Sequence, residues 1–290
     1  MKQHAYGYAA LVAFCLGITP VVQADLKPIS DEILGDVTGQ AFMQVENIPG
    51  LDHQFTRMTL GMDVETRVNM DDIKAGQTDT GVDFAATDVA FGHISRDAAR
   101  VQYNGKTYAV GESVPFEAVQ PYIELAEVDN QLAGFRMGFK QARGVVSSNT
   151  TSFSGDIGLQ LKDADGAISS ATLFGADNAA TNYRATQIGM DDGTGVCTPG
   201  ANCASLSQLR SLTVGEENVD GTTGFTDDFF ISFQRENVGW NSPDGSNVIN
   251  AGKGVFINLP TSMTIDMSTL TGVGVPRERT HYIDRGTGIF

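Results

Sequence analysis

Met58-Thr59-Leu60-Gly61-Met62-Asp63-Val64-Glu65-Thr66-Arg67-Val68-Asn69-Met70 decides the fold class. Met58, Leu60, Met62, Val64, Val68 and Met70 alternate with polar or small residues, and only Thr66 interrupts the apolar set. A period of two puts these side chains on one face of an extended chain. The run therefore predicts a strand with one buried face, about 43 Å long at roughly 3.3 Å per residue. Such a strand needs long partners.

The rest of the sequence supplies them. Phe135, Met137 and Phe139 alternate with Arg136, Gly138 and Lys140. Phe153, Ile157, Leu159 and Leu161 form another set. Asp163-Ala164-Asp165-Gly166 then reads as a turn, with residues 168–174 returning as a strand. Phe229, Ile231 and Phe233 alternate again. Val255, Ile257 and Leu259 run up to Pro260, which should break or bend the strand before Met263, Ile265 and Met267. Within this region a helix is plausible only at 115–127, where Val119, Ile123, Leu125 and Ala126 are loosely periodic and Pro121 intrudes. The expected fold is all-β: long antiparallel strands in a two-sheet, sandwich-like arrangement that buries the Met, Leu, Ile and Phe faces, with a short N-terminal helix.

That helix is read from residues 28–40. Ser30 is a good N-cap, and Asp31 and Glu32 sit where the helix dipole favours anions. Ile33, Leu34 and Val37 fall at helical spacing, and Gly39 is a natural stop. Two turns with so small an apolar face must dock on something. Ile33, Leu34, Val37 and the nearby Phe42 are the expected partner contacts if the docking surface belongs to another protein.

Ahead of it, residues 1–24 read as a secretory signal peptide. Lys2 is the positive start, Ala9 to Val22 contain no acidic residue, and Val22-Gln23-Ala24 places small residues at the cleavage positions. Gly17 and Pro20 interrupt the apolar run, which disfavours an uncleaved anchor. Phe14 before Cys15 disfavours lipidation. The expected organisation is a signal peptide at 1–24, a helix and linker at 25–48, and a β-rich domain at 49–290. Within that domain the Asp/Gly/Asn/Thr-rich stretch at about 175–224 reads as a loop excursion.

The 290 residues suffice for a sizeable core. The formal net charge of −16 repels phosphates and argues against nucleic-acid partners. Cys197 and Cys203 lie six residues apart around Pro199 and Gly200, and an even pair in an oxidising compartment reads as a disulfide. No His lies near them to make a metal site. The Asp163–Gly166 segment lacks the Asp and Glu that a calcium loop would place at 161 and 172, where Leu161 and Thr172 stand. Asp191-Asp192-Gly193 and Asp227-Asp228 suit turns as well as calcium. The sequence contains no nucleophile elbow, His-Glu-x-x-His motif, phosphate loop or dinucleotide fingerprint. No catalytic residue, metal ligand or cofactor is expected.

Leu26-Lys-Pro-Ile29-Ser-Asp31-Glu32-Ile-Leu34-Gly-Asp-Val37-Thr38-Gly39-Gln40-Ala41 resembles the opening of a poorly characterised family of exported Gram-negative proteins. Some of these are described as pilus-system or surface-filament proteins. Ile29 departs from the family's Leu, and Phe42 stands where a Gly often follows. The resemblance covers about a twentieth of the chain. It implies surface export and assembly with other protein subunits, and it carries no catalytic residues. The expected function is therefore that of an exported structural or adhesive cell-surface or extracellular protein, part of a pilus-like or matrix assembly. An outer-membrane β-barrel is the alternative, and the only reading that makes the membrane a partner; a secreted hydrolase ranks below both. For a barrel, Phe290 is a suitable last residue, but Gly288, Gly286 and Asp284 do not suit a lipid-facing strand.

Overall fold

A computed structural model describes residues 42–50 and 52–281. The predicted signal peptide and the helix at 28–40 lie outside the described residues. Strands make up more than half of the described residues, with a single five-residue α-helix, Met267–Thr271, among them.

The front sheet is seven strands wide, in the order Met43–Pro49, Gln54–Leu60, Phe116–Val128, Gln131–Ser152, Phe230–Gln234, Gly254–Leu259 and Gly155–Ile157. Every pairing is antiparallel except the last. The rear sheet runs Val68–Thr78, Gly81–Phe91, the second half of Gln131–Ser152, and Ser211–Val214. The 22-residue strand Gln131–Ser152 thus belongs to both sheets. Its handover point is Gly144, whose φ of +137° suits glycine and whose missing Cβ would stand 3.0 Å from Cα of Phe116. Inward-facing positions on this strand change from odd, Met137 and Phe139, to even, Ala142, Val146, Ser148 and Thr150. A hairpin of Val238–Asn241 and Val248–Ala251 covers the outer face of the front sheet, with Trp240 and Phe230 buried between.

Several expectations from the sequence change. The alternating run at 58–70 is divided among three strands, Gln54–Leu60, Asp63–Thr66 and Val68–Thr78. The first two pair with Phe116–Val128, but Gly61 and Met62 bulge opposite Gln120, whose φ is +50°. The third has crossed to the rear sheet. Residues 115–127 form a strand, not a helix. Tyr122, Glu124 and Ala126 line one face of it and Ile123 the other, and Pro121 is tolerated beside that same bulge. Residues 43–48 belong to the sheet rather than to a linker. The alternation through 153–161 breaks into Gly155–Ile157 and Gln160–Lys162. Met267 opens the helix instead of continuing a strand. The stretch at 175–224 is only partly loop: Ile188, Leu206, Leu209, Leu212 and Val214 are buried in the main core. The Asp163–Gly166 turn forms as expected, with Asp163 accepting from the backbone N–H of Asp165 and Ala167.

Candidate binding site

Between the two sheets lies a cleft of about 650 Å³. Register explains its front wall. Val45 pairs with Met58, Met58 with Ile123, Ile123 with Met137, Met137 with Ile231, and Ile231 with Ile257. Side chains directly opposite on neighbouring strands share a face. One apolar residue from each of six strands therefore forms a continuous row. Met70, Ile73, Phe84, Val89 and Phe91 face it from the rear sheet. At one end Phe91, Phe139 and Phe229 gather around the buried Phe116, with ring centroids 5.2 to 6.2 Å apart.

The facing sheets bury the Ile257 end of this row in the main core, together with Phe229 and Leu259, but not its middle. Met58 is 43%, Ile123 47% and Met137 42% exposed. Behind Met58, Ile123 and Met137 the other face of the sheet is fully buried, and it carries charge. Glu124 lies on it between Arg57 and Arg136. Arg136 also donates to the carbonyl of Asn241 in the covering hairpin and lies 5.0 to 5.2 Å from the ring centres of Tyr122, Phe230 and Trp240. Cation–π contact and hydrogen bonds compensate part of the desolvation cost.

The side chains lining the cleft include no Asp, Glu, Lys, Arg or His. Among the described residues Tyr122 is the sole ionisable group in contact with it, and burial pushes its phenol up to about 12, so it stays neutral. Ser148 and Thr150 bring a pair of hydroxyls 2.8 Å apart. Such a lining supplies burial, dispersion and two orienting hydroxyls.

The other residues singled out in the sequence lie elsewhere. Cys197 and Cys203 form the expected disulfide, both buried, with Cα atoms 5.7 Å apart. It closes a loop in which Asn202 accepts from the N–H of Thr198, and Asp191 shapes the preceding turn by accepting from the N–H of Gly193 and Gly195. Asp228 accepts from the hydroxyl of Ser242. Among the described residues no three metal-ligating side chains come together. Ile33, Leu34 and Val37 lie outside the described residues. Phe42 is described, stands half exposed, and accepts at its carbonyl from the N–H of Gly61. Sequence reasoning missed the cleft because its row comes from six separated segments. The signal was present in the alternation, but the pairing that aligns it was not.

No family model matches this chain, and neither a curated protein nor a solved structure matches it.

Proposed function

We propose that the chain is an exported, non-catalytic component of a cell-surface or extracellular assembly, joined to other protein subunits along the strand Met43–Pro49. One observation carries this reading. Among the described residues nothing pairs with the outer edge of that strand, and Phe42, Met43 and Val45 stand 51%, 46% and 56% exposed along it. A bare edge offers unpaired N–H and C=O groups to an added strand, and proteins ordinarily blunt such edges with lysine, proline or a covering element. Here the strand carries no lysine, and its proline stands at its far end. Phe42 is one of the contacts expected from the sequence, and the family resemblance at 26–41 supports export and assembly.

An outer-membrane barrel draws less support. The front sheet ends in two edge strands, and its apolar row faces a second sheet across the cleft.

The test is assembly of the exported chain, followed by sedimentation of the purified protein and by cross-linking on cells. Val45→Lys and Phe42→Ser should leave folding intact and abolish higher-order species. Assembly of both variants at the level of the unmodified chain would reject the reading.

A further inference from the structure

We propose that the cleft between the two sheets binds the hydrocarbon chain of a monoacyl lipid whose head group is uncharged. This is independent of the edge-strand reading and rests on different residues.

Size comes first. The volume of about 650 Å³ falls in the range of roughly 300–1,000 Å³ typical of small-molecule sites. A helix of about 10 Å diameter fills roughly 420 Å³ in each 5.4 Å turn. The cleft would therefore take little more than one turn of a partner helix, whereas a single extended alkyl chain is thin enough to lie along the apolar row.

Chemistry comes second. Met58, Ile123 and Met137 keep a large share of their surface in water at the mouth. Apolar patches held open in this way mark binding surfaces. Methionine is unbranched and polarisable, and it adapts to a flexible occupant; Met70 adds a third from the rear sheet. The lining offers no cation to receive a carboxylate or phosphate, and burying an unpaired charge is costly. The chain's net charge of −16 further disfavours an anionic head at the mouth. Ser148 and Thr150, bonded to each other, each retain hydrogen-bonding capacity for an ester or glycerol hydroxyl. That combination selects a monoacyl lipid with an uncharged glycerol or ester head over a free fatty acid.

The experiment uses the exported chain, stripped of bound lipid, and the neutral fluorophore N-phenyl-1-naphthylamine. Saturable binding of one probe per chain is expected. 1-Monopalmitoylglycerol should displace it, and palmitate should do so about tenfold more weakly, because its carboxylate would lie in an uncompensated apolar site. Met137→Asp should weaken binding at least about tenfold by the same cost. Met137→Trp should compete with the ligand for space and, being apolar, protects the test against misfolding of the aspartate variant. Ile168→Asp, at an exposed position that lines neither the cleft nor the edge strand, should bind as the unmodified chain does. Absence of saturable binding, or binding untouched by both Met137 variants, overturns the site. Palmitate that matches the monoacylglycerol overturns the choice of head group. A stable dimer in the lipid-free protein that Met137→Asp dissolves would overturn the proposal in favour of a second copy.

Discussion

Glu124 and Arg136, register partners on adjacent strands, meet as a wholly buried ion pair at 3.2 Å, while their sequence neighbours Ile123 and Met137 stand exposed in the cleft behind them. The usual placement of charge outside and apolar residues inside is reversed across this sheet. The covering hairpin is the cause: it seals the charged face with Trp240, Val238 and Ile249, whereas the rear sheet stands away from the apolar one.

Removing the carboxylate from this arrangement should be severe. Glu124→Gln leaves the guanidiniums of Arg57 and Arg136 buried without their shared counter-charge. Breaking a buried pair from one side typically costs about 3–5 kcal/mol. Urea denaturation should show a loss of that order, with the midpoint displaced accordingly. A loss under about 1 kcal/mol would mean that the hairpin carbonyls and aromatic rings already compensate both cations.

His93 should make the fold sensitive to acid. It is buried against Gln102, 3.1 Å away, and burial lowers its pKa from the ordinary 6.5, opposed by the Glu278 carboxylate and the Gln102 bond. Arg100 adds a further lowering. A folded pKa below the unfolded one means that the unfolded chain takes up the proton first. The stability that depends on neutral His93 is therefore complete above pH 6.5 and falls as pH drops through the folded value. Melting temperature measured against pH should decline below 6.5 and flatten in His93→Gln. Equal slopes in both proteins would refute this.

The disulfide should matter modestly. Its six-residue separation closes a short loop, for which chain entropy gives about 2 kcal/mol. Cys197→Ser/Cys203→Ser should lower the melting temperature while leaving probe binding in the cleft unchanged, since neither cysteine lines it. Intact-mass measurement of the non-reduced protein should show no free thiol at either position.

Gly144 should be intolerant of substitution. Gly144→Val places a β-branched side chain at φ +137° against the backbone of Phe116. Strain of this kind costs about 1–3 kcal/mol before any clash is counted. The variant should lose stability and also probe affinity, because this residue sets where the shared strand passes between sheets. Retained affinity at reduced stability would show that the cleft does not depend on the handover.

Alternation by itself determined that this chain is extended and layered. Phe135, Met137 and Phe139 sit on one face of one strand, as a period of two requires. Ile231 and Phe233 do likewise, and Pro260 ends its strand because it has no N–H to give. The disulfide was legible too, since a lone pair around a Pro-Gly turn has few other partners. What the sequence left open was where alternation breaks. A single bulged residue, as at Gly61 opposite Gln120, inverts every later side chain, and bulges depend on a partner strand remote in sequence. Nor does alternation say which of two faces will be covered. Phe55-Thr56-Arg57-Met58 reads locally as a strand with Met58 inside and Arg57 outside. Only the tertiary structure, by laying a hairpin over one side and opening a cleft on the other, placed Arg57 in the interior and Met58 at the mouth, because burial depends on what packs against a face as well as on which side chains the face carries.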